Sequence, residues 1–120
     1  MIMKKMILMA VALLSMSTAF AGNDHVNNAR EAYVMNVNQF SLGRTLGLTG
    51  EQIDAVEYIT DKFRMEMYRA GYSKEARRHE RVMKAVSRNL RYMHSVLSHE
   101  QYRTYVMVLN ATLHNRGLLD

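Results

Sequence analysis

Beyond residue 30, apolar positions recur three and four apart, and the breaks between these stretches carry the residue types that start and stop helices. Tyr33, Val37 and Phe40 share one face of a helix predicted over Arg30 to Leu46, with Gly47 as its stop. Ile53, Val56, Phe63, Met67 and Ala70 keep the same spacing, broken only by Thr60, and predict a second helix running to about Ala70. Gly71-Tyr72-Ser73 reads as a turn, with Ser73 as N-cap of a third helix that ends near Val96 and turns Val82, Val86, Leu90, Met93 and Leu97 inward. A fourth helix carries Tyr102, Val106, Leu109 and Leu113 inward and stops at Gly117, with Leu118 placed to meet Leu113 in a Schellman motif.

The second and fourth helices begin with the same phrase. Leu48-Thr49-Gly50-Glu51-Gln52-Ile53 returns as Leu97-Ser98-His99-Glu100-Gln101-Tyr102. Thr49 and Ser98 are suited to cap the free N–H groups of a first turn, while Gln52 and Gln101, three residues on, are suited to reach back to the cap residue's own N–H. The pairs Leu48 with Ile53 and Leu97 with Tyr102 occupy the positions of a hydrophobic staple. Leu48, Thr49, Gln52, Leu97, Ser98 and Gln101 are therefore structural residues that set where a helix starts.

At about 1.5 Å per residue, helices two and three are each roughly 30–35 Å long. Helix two runs out and helix three returns, so the second phrase lands beside the first at one end of the molecule. The predicted fold is all-α, a four-helix antiparallel arrangement around a long central hairpin.

Residues 1–21 stand apart from this pattern. Lys4 and Lys5 precede an apolar run from Met6 to Leu14, and Ala19-Phe20-Ala21 fits a small-x-small cleavage site, the signature of a signal peptide. The expectation is export with cleavage near Ala21, a flexible polar segment over 22–29 and a single helical domain over 30–120. The protein has no cysteine, so an exported domain of this size must hold by packing alone. It also has no proline, which suits a helical protein. Six methionines and seven tyrosines beyond residue 21 supply soft, adaptable apolar surface.

Charge divides the sequence along its length. Between Lys62 and Arg91 there are ten basic and three acidic residues, whereas residues 22–61 hold two basic and six acidic. Arg77, Arg81, Lys84, Arg88 and Arg91 fall within about an 80° arc of helix three. Such a row is either neutralised by Asp54, Glu57 and Asp61 on helix two, near Arg91, Arg88 and Lys84 in antiparallel register, or is an open track for acidic clients or an anionic membrane surface, with Arg77 and Arg81 as its better half. A second apolar strip on helix two, Tyr58, Met65, Tyr68 and Tyr72, either packs another helix or a dimer partner or is an exposed client-binding face.

Chemistry is sparse. His25, His79, His94, His99 and His114 include no pair one helical turn apart, and His94 with His99, which could meet near the motif end, lacks a carboxylate partner, so no metal site is expected. No nucleophile elbow, phosphate loop or metalloprotease motif occurs, so neither catalytic residues nor a cofactor are expected. Export disfavours nucleic acid as a partner despite a pI near 9.7.

Two Leu-Thr-x-x-Gln-like motifs about fifty residues apart, Leu48 to Gln52 and Leu97 to Gln101, flank a basic helical hairpin. In this the protein resembles the Spy/CpxP group of periplasmic proteins over roughly Leu46 to Leu113. It also looks like short exported proteins of unassigned role that close with an Asn-x-Thr-Leu-x-Asn-Arg-Gly phrase, here Asn110 to Gly117. The resemblance implies a cradle-like helical homodimer acting as an ATP-independent chaperone for unfolded or partly folded proteins, or as an envelope-stress sensor working through a membrane-bound partner protein. A structural protein of the membrane surface is a third expectation, and the metal response of some relatives a distant fourth.

Overall fold

The computed structural model describes residues 30–119; the expected signal peptide at 1–21 and the polar segment at 22–29 lie outside the described residues. Four helices follow in order: α1 (Gln39–Leu46), α2 (Gly50–Tyr72), α3 (Glu75–Val96) and α4 (His99–Asn115). The fold is all-α, and α2 and α3 form the long antiparallel hairpin that the spacing predicts.

The helix starts follow from capping chemistry. Thr49 Oγ1 accepts from the Gln52 N–H at 3.2 Å and Gln52 Oε1 accepts from the Thr49 N–H at 3.0 Å. Ser98 and Gln101 repeat the exchange at 3.2 and 2.8 Å. Both are complete capping boxes. The first helix begins at Gln39 rather than Arg30, because Asn38 Oδ1 accepts from the Ser41 N–H at 3.0 Å and so caps it there. Ahead of it, Arg30 to Val34 make a turn, and residues 34–38 lead into the helix without regular secondary structure. Phe40, predicted inward, is exposed; Met35, Leu42 and Leu46 are buried in its place.

The stops are equally specific. Gly47 and Gly117 have φ of 68° and 71°, the left-handed region that a side chain disfavours. After α1, Leu48 N–H donates to Gly43 O and Gly47 N–H to Arg44 O; after α4, Leu118 N–H donates to Leu113 O and Gly117 N–H to His114 O. Both are Schellman motifs. At the hairpin tip the helix continues to Tyr72, and Ser73 closes it: its N–H and hydroxyl both donate to Ala70 O, at 3.1 and 2.6 Å. Ser73 is thus a C-cap, and the N-cap of α3 is Lys74, whose side chain makes no capping bond. Gly71 allows close approach, since a Cβ there would lie 3.0 Å from Cβ and Cγ of Tyr33.

The core gathers Val56, Ile59, Phe63, Met67 and Ala70 of α2 with Val82, Ala85, Val86 and Met93 of α3 and Tyr105, Leu109 and Leu113 of α4. Two inward assignments are corrected. Ile53 is exposed and lies over the backbone of Gly43, whereas Leu90, half-buried, packs against the core as expected. On α4, Tyr102 also packs against the core, Val106 is only half-buried, and Tyr105, Val108 and Thr112 point inward as well. The buried side includes a phenol and a hydroxyl, both satisfied: Tyr105 Oη donates to Asn89 Oδ1 at 2.6 Å, and Thr112 Oγ1 to Val108 O at 2.8 Å.

Burial pushes the Tyr105 phenol far above its ordinary value. The unfolded protein loses that proton near the ordinary tyrosine pKa of about 10, whereas the folded protein keeps it. The stability contributed is therefore full below about pH 10 and is lost progressively above it. Urea midpoints measured between about pH 9 and 11 should fall more steeply for the parent than for Tyr105→Phe; equal slopes would mean that folded Tyr105 ionises like an exposed tyrosine.

Candidate functional site

Where α2 and α4 begin, the two capping glutamines also bind each other. Gln52 Nε2 donates to Gln101 Oε1 at 2.8 Å and Gln101 Nε2 to Gln52 Oε1 at 3.2 Å. Each then reaches the backbone just before the other's cap: Gln52 Nε2 donates to Val96 O at 2.9 Å, and Gln101 Nε2 to Leu46 O and Gly47 O at 3.2 and 3.1 Å. The two phrases thus form one latch of near two-fold pattern, at the single end where segment lengths place them. Leu97 is buried beneath it and Leu48 packs on the same core. This end is a structural clamp that sets how the hairpin faces are presented.

The basic row of α3 is exposed from Arg77 to Arg91. Lys84 pairs with Glu80 at 3.6 Å, Arg88 with Glu66 at 2.5 Å, and the Arg91 guanidinium lies 5.5 Å from the centroid of Tyr92. Among the described residues Arg77 and Arg81 have no salt bridge. With Arg69 of α2 they line a groove of about 290 Å³ between the two helices, shared with Lys84, Arg88, Glu66 and Glu80.

The expected neutralisation by Asp54, Glu57 and Asp61 does not occur. At about 100° per residue these three acids lie within about 60° of one another, while Glu66 stands roughly 120–180° away, toward α3. Asp61 instead pairs with Arg64 at 2.7 Å. All three acids line a separate recess of about 670 Å³ whose other wall is the Met35 to Gln39 segment. That segment is pinned to α2 by Gln39 Nε2, which donates to Thr60 Oγ1 at 2.6 Å. Glu66 is the acid that antiparallel register alone did not pick out. Its signal is angular, since it projects onto the α3 side of α2.

The apolar strip is open along its length: Tyr58, Met65, Tyr68 and Tyr72 are 65%, 43%, 52% and 56% exposed. No described helix covers it. The Tyr68 and Tyr72 rings lie 4.9 Å apart between centroids, tilted by 50°, and the neighbouring Tyr72 hydroxyl is the main cause that raises the Tyr68 phenol above its ordinary value. Cations border the strip, with Arg30 4.6 Å over Tyr72 and Lys62 5.5 Å from Tyr58. The strip therefore lies between the acidic recess and the basic α2/α3 groove.

His79, His94, His99 and His114 are all exposed, and His94 meets Tyr102 edge to face at 4.9 Å. Among the described residues no group of three or more His, Cys, Asp or Glu could hold a metal ion, and no helix is long and apolar enough to cross a membrane. No protein-family model, no curated protein and no solved structure matches this sequence.

Proposed function

We propose that this protein is an exported, non-enzymatic, chaperone-like protein of the Spy/CpxP kind, which holds unfolded or partly folded clients in the periplasm, alone or as the cradle-like pair that the resemblance implies. The observation that carries this reading is the uncovered Tyr58, Met65, Tyr68 and Tyr72 strip beside a groove whose Arg77 and Arg81 have no salt bridge among the described residues. Methionine and tyrosine adapt to many apolar shapes, and unpaired arginines draw acidic segments without demanding one geometry.

The two contributions separate by salt. Attraction to Arg77 and Arg81 acts through water and weakens as the screening length shrinks from about 8 Å at physiological ionic strength. Apolar contact with the strip is nearly indifferent to salt. Suppression of aggregation of a reduced model protein should accordingly fall in part, not wholly, between low and high salt. Arg77→Glu with Arg81→Glu should remove the salt-sensitive part and slow client capture more than it speeds release. Met65→Ser with Tyr68→Ser should remove the remainder. A parent protein that suppresses nothing at any salt, even in excess over client, would put the sensor acting through a membrane-bound partner in place of the chaperone.

A further inference from the structure

Farther along the α2/α3 seam lies a second recess, of about 190 Å³, bordered by Lys62, Phe63, Glu66, Arg88, Asn89 and Tyr92. Its chemistry differs from that of the basic groove. Asn89 is 2% exposed, and its Oδ1 is committed to the Tyr105 hydroxyl at 2.6 Å. This fixes the plane of the amide and leaves its donor branch on the side away from that hydroxyl. Nδ2 has no hydrogen-bond partner among the described residues, an uncommon state for a buried side-chain amide. At the rim, Lys62 has no salt bridge among the described residues; its ammonium lies 5.5 Å and 5.9 Å from the ring centroids of Tyr58 and Tyr92.

We propose that this recess binds a small carboxylate carried on a short aromatic or apolar body, with Asn89 Nδ2 and Lys62 Nζ as the donors. The charge selects a monoanion. Lys62 and Arg88 face one acid, Glu66, and Arg88 is already engaged by it, so one positive charge remains. A doubly charged phosphate would meet Glu66 with too few free donors. Size and lining select the body: a cavity of about 150 Å³ accepts benzene, and Phe63 and Tyr92 offer ring faces and edges here. Nδ2 is itself fully buried, so the ligand would reach it as the exposed Lys62 and Tyr92 side chains lining the recess change rotamer. Lys62 also borders the Tyr58 to Tyr72 strip, but Asn89 does not, so the ligand contact followed here is separate from client contact with the strip.

Phenylacetate, the neutral phenylacetamide, and a Gly-Gly-Phe peptide with either a free or an amidated C-terminus test it, with the Asn89 side-chain amide resonances followed by NMR. The free carboxylate probes should move those resonances saturably, and the two amides should not. Phenylacetate binding without the peptide identifies a free small acid as the ligand type; tighter binding of the free peptide identifies the C-terminus of a polypeptide. Because Asn89 supports the core, Lys62→Met serves as the variant: at its exposed position it should leave the fold intact and raise the Kd for phenylacetate about tenfold, the loss of one charge-assisted hydrogen bond. Asn89 resonances that stay still at tens of millimolar probe, or that respond equally to acid and amide, overturn the proposal.

Discussion

Replacing Leu97 with alanine is expected to destabilise the protein by about 2–4 kcal/mol, the range for emptying a buried leucine site. Leu97 is 8% exposed and ends α3, its N–H donating to Met93 O at 2.9 Å. Its side chain fills the core beneath the glutamine latch, where the backbone on both sides is already fixed by a helix end and a capping box. The site has little freedom to collapse, which puts the cost toward the upper part of the range. Urea denaturation with an unchanged m-value would measure it. A variant as stable as the parent would mean that the second phrase is not structural.

Gln101→Ala is expected to cost about 2–3 kcal/mol, well above the roughly 1 kcal/mol of an ordinary N-cap loss such as Ser98→Ala. The difference comes from what else Gln101 holds. It accepts from the Ser98 N–H and donates to Leu46 O, Gly47 O and Gln52 Oε1. Water can replace it at the exposed Gly47 but far less readily at buried Leu46. If the latch is one unit, Gln52→Ala on top of Gln101→Ala should cost less than the sum of the two alone, by about 0.5 kcal/mol or more. Strict additivity in that double-mutant cycle would show two separate caps that merely lie close together.

How much of this was legible in the sequence depended on whether a signal was local. Caps and stops depend on neighbours three to five residues away, so Thr49, Ser98, Gly47 and Gly117 could be read directly, and segment lengths then brought the two phrases together. The start of α1 was equally local: Asn38 with Ser41 is a cap, but the apolar spacing of Tyr33, Val37 and Phe40 masked it, and tertiary packing placed Met35 and Leu42 inside instead. Helix α4 is apolar nearly all round from Tyr102 to Leu109, so its period could not choose a face. The long-range bond from Tyr105 to Asn89 belongs to the face that packing buries, and no local pattern encodes it. The strip of Tyr58, Met65, Tyr68 and Tyr72 was visible as a second face, but whether anything covered it depended on where α1 and α4 dock. The partner of Arg88 needed the rotation of α2 as well as its register, which is why Glu66 replaced Glu57.

The latch has a consequence in time. Contacts along α2 and α3 close through one short turn, so the hairpin can zip from its tip with small loop-closure entropy. The Gln52–Gln101 bonds join residues 49 apart and need both long helices already built before the two amides can meet. They are expected to form late in folding, and Gln52→Ala or Gln101→Ala should then speed unfolding more than it slows refolding. Interactions absent at the main barrier slow unfolding without hastening folding. On this expectation the Gln52–Gln101 latch, as distinct from the local caps, acts as a brake on opening in a protein that, having no disulfides, has no covalent lock.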